Sequence, residues 1–102
     1  MARIYRVMDQ PEHGQFLGFY CPGCEEAHQI RISGERRPSW IFDGNDEAPT
    51  CSPSILVATT WKKEQRRCHS FLRAGKLEFL GDCTHALAGQ TVELPELPEW
   101  LA

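Results

Sequence analysis

The chain has 102 residues and a net charge of −3, with a pI of about 5.8. This length fits one domain, residues 1–102, and leaves no room for a second hydrophobic core. No apolar run approaches the roughly 20 residues of a transmembrane helix, and the first residues lack the apolar core of a signal peptide. The acidic balance disfavours nucleic-acid binding, because basic side chains at the phosphates supply most of its affinity.

Short apolar or alternating segments, separated by Gly, Pro and Asp, run along the whole chain. Such spacing is typical of many short strands, and the segments that predict strands are 3–8, 15–20, 28–32, 39–42, 54–61, 68–72, 76–80 and 90–94. Residues 84–89 predict one short helical turn. Residues 95–102 form a tail whose two prolines do not pair in a sheet interior. The fold class is therefore mostly β, a small β-rich or α+β domain with a zinc knuckle and one short helical turn.

The predicted hairpin over 68–80 turns at Ala74-Gly75. A two-residue loop would need a positive φ at Ala74, which its Cβ disfavours. A three-residue loop, 73–75, is therefore predicted. Because strand side chains alternate between faces, Cys68 and His69 are expected on opposite sides of the sheet, with His69 on the apolar side.

Five cysteines occur without an export signal, and two of them form the motif Cys21-Pro22-Gly23-Cys24. An odd count and a Cys-x-x-Cys pair favour metal or redox chemistry over a disulfide framework. The redox form of this motif normally precedes a helix in a βαβ unit, whereas here Glu25 and Glu26 lead into another strand. The motif therefore predicts a zinc knuckle.

A tetrahedral zinc site needs two further ligands. Cys68 and His85 are predicted to complete it, because Cys68 lies off the apolar face and His85 lies in a turn that leaves its ring free. The prediction is one zinc ion in a Cys₃His site, with three residues left as alternative ligands or as groups that orient a ligand: His28, His69 and Asp82. Cys51 and Cys83 are interpreted as small buried side chains.

A site of three protein ligands and one water would be catalytic in form, since zinc lowers the pKa of its bound water. Thiolate-rich sites are more often structural, and the chain contains neither a His-Glu-x-x-His motif nor a zinc-deaminase signature. The sequence therefore leaves enzymatic activity open and favours a non-enzymatic role.

Several motifs in fixed order resemble a family of small phage and prophage proteins of unassigned function, often labelled ammonia monooxygenase. They are YCPGC at 20–24, WIFDGN at 40–45, PTCSPSILV at 49–57, CHSF at 68–71 and DCTHALAGQ at 82–90. The resemblance covers about residues 20–95. It implies a pattern of Cys21, Cys24, His28, Cys68, His69, Asp82 and His85, with Ser often at position 83 and Phe often at 51. It also implies a phage origin and a setting in the cytoplasm of the bacterial host, but no activity.

The leading functional hypothesis is a phage zinc-binding module that acts, without catalysis, on a host or phage protein. Inhibition of a host defence system is one form of it. The second hypothesis is a zinc-dependent hydrolase or nucleotide-binding protein that uses the residues His28, His69, Asp82 and His85. The third is a zinc-knuckle protein that binds nucleic acid through its basic pairs.

Overall fold

The structure is a computed structural model that describes residues 3–101, apart from the side chain of Trp61. It contains eight strands: β1 (Arg6–Gln10), β2 (Gly14–Cys21), β3 (Glu26–Arg31), β4 (Ile41–Phe42), β5 (Cys51–Trp61), β6 (Glu64–Arg73), β7 (Lys76–Phe79) and β8 (Thr91–Glu93). All eight predicted strands are present with shifted ends, and the β-rich fold class is confirmed. Within the described residues there is no helix, and the predicted helical turn over 84–89 consists of turns.

The strands form two antiparallel sheets. The first has the order β1-β2-β3 and the second the order β4-β5-β6-β7-β8. Leu17, Phe19 and Cys21 of β2 share one buried cluster with residues of β5, β6 and β7. The core therefore lies between one face of each sheet, which leaves the other face of the larger sheet turned outward.

The β6–β7 hairpin corrects the predicted register. Arg73 pairs with Lys76, so the loop has two residues, and both Ala74 (φ 49°) and Gly75 (φ 74°) adopt the left-handed conformation. Two hydrogen bonds donated by backbone N–H groups offset the cost at Ala74: its own N–H donates to the Thr50 hydroxyl at 2.8 Å, and the Gly75 N–H donates to the Pro49 carbonyl at 2.9 Å. A turn of this kind matches the strand twist better than the predicted longer loop.

The corrected register moves His69 to the outer face. Ser70 pairs with Phe79 and Leu72 with Leu77, and all four side chains are buried. Cys68 shares this inner face, since it alternates with them along β6. The prediction that Cys68 and His69 point to opposite sides is thus confirmed, whereas the prediction that His69 shares the apolar face was wrong.

Strand β5 carries a bulge near its start. Cys51 pairs with Leu72 and Ile55 pairs with Ser70, so residues 52–54 of β5 lie opposite Phe71 alone. Bulges of this kind break the ladder locally and re-aim side chains, often beside functional sites. Here the bulge ends at Ser54, immediately before the buried Ile55, and Ser54 therefore faces outward.

The C-terminal segment packs on the domain rather than extending from it. Leu97 and Leu101 are buried, and the Leu97 N–H donates to the Arg3 carbonyl at 2.8 Å. Across residues 3–101 there is no helix long and apolar enough to cross a membrane.

Candidate functional site

Two groups of polar side chains lie on opposite faces of the larger sheet, and β6 contributes to both. Cys68 is buried on the inner face, and the next residue, His69, is partly exposed on the outer face. Adjacent residues of a strand separate in this way because side chains alternate. We describe the inner group as the metal cluster and the outer group as the triad.

The metal cluster comprises Cys21, Cys24, His28 and Cys68, whose potential ligand atoms all lie within 4.8 Å of one another. Cys21 ends β2, Cys24 follows in the knuckle, His28 lies in β3 and Cys68 lies in β6. The Sγ atoms of Cys21 and Cys68 are 3.8 Å apart. A tetrahedral zinc ion with Zn–S bonds near 2.3 Å separates its sulfur ligands by about 3.8 Å, so this spacing fits zinc.

The charge balance of the cluster also calls for a cation. The hydrogen bond from the Cys68 thiol, assisted by His28, lowers the pKa of Cys21 to about 4. Burial and the negative charge of Cys21 raise the pKa of Cys24 to about 12. The pKa of Cys68 is raised far above its usual value, first by its hydrogen bond to Cys21 and then by burial. One thiolate alone is thus stable here, and a divalent cation would supply the charge that ionises all three.

His28 fits the role of fourth ligand better than the predicted His85. His28 is 7% exposed and groups with all three cysteines, and its Nε2, like that of His85, is buried without a hydrogen-bond partner among the described residues. A metal ion, or a group bound beside it, would satisfy such a nitrogen. The cluster can therefore hold one metal ion with four protein ligands, and zinc matches this donor set.

His85 belongs to a second group, of three residues, with Cys68 and Cys83. Its Nδ1 accepts a hydrogen bond from the Leu87 N–H at 3.2 Å, so a neutral ring carries its proton on Nε2. Neither nitrogen then offers a free lone pair. The ring packs edge-on to Phe79, with ring centroids 4.6 Å apart, and against Gly23, where any Cβ would lie 2.4 Å from ring atoms. Glycine in the knuckle is thus required by the close approach of His85.

The triad consists of Ser54, His69 and Asp82. The Nε2 atom of His69 lies 3.0 Å from the Ser54 Oγ, and its Nδ1 lies 3.2 Å from the Asp82 Oδ2. A carboxylate only accepts, so Nδ1 carries the proton, and the Nε2 lone pair accepts the Ser54 hydroxyl. This is the tautomer in which an imidazole can remove a proton from serine.

Asp82 lies in partly exposed surroundings. Its side chain is 42% exposed, and Arg67 Nη1 approaches its Oδ2 at 3.8 Å. An ion pair this exposed contributes little stability.

Cys83 fixes the backbone of His69. Its Sγ accepts the His69 N–H, and its S–H donates to the His69 carbonyl, both at 3.2 Å. Cys83 is buried, as the sequence predicts, but the sequence does not predict these two hydrogen bonds. They position the residue that links Ser54 to Asp82.

Two of the residues named by the sequence, His69 and Asp82, therefore lie away from the metal cluster. The structure brings Cys21, Cys24 and Cys68 together with His28 and places His85 beside them without grouping all five. The sequence reasoning missed Ser54 entirely. It lies within the motif PTCSPSILV at 49–57, where Pro53-Ser54 begins an otherwise β-branched strand, but no role was assigned to it.

The fold and these two sites define a small two-sheet protein with a cluster that can hold a metal ion and a hydrogen-bonded chain of serine, histidine and aspartate on its outer face. The model of the family BubE, described as "Bacterial ubiquitination-like system serine protease", matches residues 1–80. The chain belongs to this family. No curated protein and no solved structure shows significant similarity to the chain.

The matched segment contains all four residues of the metal cluster together with Ser54 and His69, whereas Asp82 lies two positions beyond its end. The predicted membership of a protein family is thus confirmed. The matching family is described as a serine protease, whereas the resemblance in the sequence implied a family of unassigned function. Its phage origin stays a prediction.

Proposed function

We propose that this protein is a serine peptidase in which Ser54 is the nucleophile, His69 the general base and Asp82 the residue that orients His69. The observation that carries the proposal is the continuous chain of two hydrogen bonds from the Ser54 hydroxyl through both ring nitrogens of His69 to Asp82. The name of the family, a serine protease of a ubiquitination-like system, supports the same activity.

The geometry supports a proton relay between serine and substrate. As the Ser54 Oγ attacks a substrate carbonyl carbon, its proton passes to His69 Nε2, and Asp82 stabilises the resulting imidazolium. The imidazolium then gives that proton to the leaving amine nitrogen when the amide bond breaks. Water attacks the ester on Ser54 in the second half of the reaction, with His69 again as base.

The order of the three residues along the chain, Ser54, His69 and Asp82, differs from the orders in chymotrypsin, subtilisin and the α/β-hydrolases. Triads are recognised by geometry and by the role of each group, so the chain order does not count against the proposal. The outer face of a two-sheet domain is a further scaffold for the same chemistry.

Zinc in the metal cluster would act as a structural cross-link. Cys21 and His28 of the smaller sheet, Cys24 of the turn between their strands and Cys68 of the larger sheet would hold it, so the ion would tie the two sheets together. Four protein ligands leave no open position for substrate or water. His69 and Asp82 lie on the opposite face, which disfavours the predicted zinc-dependent hydrolase.

A small fluorophosphonate probe, which reacts with activated serine hydroxyls, tests the proposal directly. We expect covalent labelling of the wild-type protein at Ser54, located by peptide mass spectrometry, and cleavage of fluorescein-labelled casein. Ser54→Ala should abolish both, and Ser52→Ala, an exposed serine two positions away on the same strand, should preserve both. Wild-type protein that is neither labelled nor active would overturn the proposal.

The predicted phage module that acts on a host protein without catalysis is the second candidate. The exposed Ile41 and Leu56 favour a protein partner, but a peptidase also requires one. The two candidates differ in a simple way, because Ser54→Ala would leave a pure binding module unaffected. The five free cysteines support a reducing bacterial cytoplasm as the setting of either candidate.

A further inference from the structure

We propose that the free edge of β5 binds the substrate as an added β-strand, so that the peptidase acts on extended, unpaired polypeptide segments rather than on folded surfaces. This inference rests on the proposed function, because it concerns how substrate reaches Ser54. Strand addition at an open sheet edge is a common way to recognise an extended peptide.

The edge is open along most of β5. On the side away from β6, β4 pairs only at Ile41 with Ser52 and at Phe42 with Cys51. Among residues 3–101, no strand pairs with that side of β5 beyond Ser52. The open stretch begins at Leu56, two residues after the proposed nucleophile Ser54, whose own carbonyl accepts a hydrogen bond from Trp40.

The backbone groups of this stretch point toward the open side. The carbonyls of Arg67 and His69 accept hydrogen bonds from Thr84 and Leu80, on the side of β6 away from β5. Because backbone groups alternate sides along an antiparallel strand, Cys68 and Ser70 must therefore turn theirs toward β5. Val57 pairs with Cys68 and Ile55 pairs with Ser70, so Val57 and Ile55 direct their own N–H and C=O groups toward β6.

It follows that Leu56, Ala58 and Thr60 direct their N–H and C=O groups away from β6. An independent contact agrees with this: the Ser54 carbonyl, two residues before Leu56, accepts the indole N–H of Trp40 at 3.2 Å on the β4 side. A row of unpaired groups at residues 56, 58 and 60 is the template that an extended peptide requires.

Apolar side chains flank the nucleophile on the same outer face. Of the four large hydrophobic residues exposed in the described part of the chain, two lie here: Ile41 at 77% and Leu56 at 54% exposure. Leu56 follows Ser54 on the open edge, and Ile41 pairs with Ser52 before it. They could contact substrate side chains on either side of the scissile bond.

The arrangement is one-sided. From Leu56 to Thr60 an added strand meets an open edge, but up to and including Ser54 the same edge is occupied by β4 and by Trp40. A substrate can therefore pair with β5 on one side of its scissile bond only. Its chain must turn away or end on the other side, which suits a chain terminus or a disordered loop.

The test uses wild-type protein, a peptide that spans its main cleavage site in casein, and a series of that peptide carrying one backbone N-methyl group at successive positions. N-methylation removes a single hydrogen-bond donor. We expect kcat/KM to fall by roughly 5- to 10-fold at every second position on one side of the scissile bond. No alternation, or equal alternation on both sides, would overturn the inference.

A pair of proline variants examines the protein side. Ala58→Pro removes one outward N–H, and Thr91→Pro is the matched control at the outer edge of β8, the other edge of the same sheet. Fluorophosphonate labelling verifies that each protein compared is folded with its triad assembled. Ala58→Pro should lower kcat/KM for casein by roughly tenfold, and Thr91→Pro should lower it by less than about twofold.

The outcomes separate the two proposals. A wild-type protein that neither labels nor cleaves removes the peptidase and this inference together. Cleavage that is equally fast in Ala58→Pro removes the inference alone. If Ala58→Pro instead converts a dimer into a monomer in size-exclusion chromatography without affecting cleavage, the edge serves pairing between copies of the chain, and the inference is overturned.

Discussion

The two faces of the larger sheet carry sites of opposite character. On the inner face, the metal cluster is buried and joins residues from both sheets. On the outer face, Ser54 and His69 lie on two strands of the larger sheet, and Asp82 lies in the loop between β7 and β8. The side chains of His69 and Asp82 are 25% and 42% exposed. A metal ion at the first site would hold the two sheets together, whereas the second site is open to solvent.

The comparison teaches that neighbouring residues of one strand can serve unrelated tasks. Cys68 and His69 are adjacent, but alternation directs one into the core and the other onto the surface. Stability and chemistry are therefore coupled through the backbone of β6 rather than through shared side chains. The predictions that follow test how separate the two sites are.

The largest effect is expected from the loss of the metal. In a domain this small, metal-binding free energy contributes directly to folding, and roughly 10 kcal/mol is typical of structural zinc sites. Treatment with a chelator, or Cys24→Ser, should abolish the cooperative thermal unfolding transition in circular dichroism. Cys83→Ser, which changes a buried cysteine outside the metal cluster, is the control and should retain the transition. An unchanged melting curve after metal removal would show that the cluster is not structural.

The second prediction decides which histidine completes the cluster. His28→Ala should lower the zinc content, measured by mass spectrometry, from about one ion per chain to well below that value, because a ligand is lost. His85→Ala should retain the metal although it removes packing against Phe79 and Gly23. The reverse result would restore the sequence-based choice of His85.

The sequence was more informative about the inner face than about the outer one. The Cys-x-x-Cys spacing predicts a metal knuckle because two thiolates close in sequence converge without help from the rest of the fold. The triad has no such local signature: Ser54, His69 and Asp82 meet only after the β5 bulge and the two-residue turn at Ala74-Gly75 fix the registers. The predicted three-residue loop would have placed His69 inside.

The strands themselves were predictable from alternation and composition, since all eight are present. Their exact pairing was not predictable, because it depends on tertiary contacts that offset the free-energy cost of an unfavourable backbone conformation in a turn. Ala74 illustrates the point: its positive φ is unfavourable locally, but the turn is stabilised because Thr50 and Pro49 accept hydrogen bonds from its N–H groups. Those partners lie about 25 residues earlier in the chain.

The third prediction isolates the outer face. Asp82→Asn should lower kcat/KM for casein by about 10³-fold, or about 4 kcal/mol, since the amide no longer fixes the reactive tautomer of His69. The melting temperature and zinc content should stay near those of wild type, because Asp82 lies outside the cluster. Glu78→Gln is the matched control: Glu78 also pairs with an arginine, Arg73, but takes no part in the hydrogen bonds of the triad within residues 3–101. Equal losses in both variants would point to surface charge rather than to orientation of His69.

The smallest effect concerns the residue that connects the two faces. Cys83 holds the His69 backbone by two hydrogen bonds, so Cys83→Ala should destabilise the domain by about 1–2 kcal/mol in urea unfolding. It should also slow fluorophosphonate labelling of Ser54 several-fold, because His69 is less firmly placed. Cys83→Ser can donate and accept at the same position and should restore most of the labelling rate. If serine and alanine behave alike, the hydrogen bonds are irrelevant, and Cys83 contributes through its volume alone.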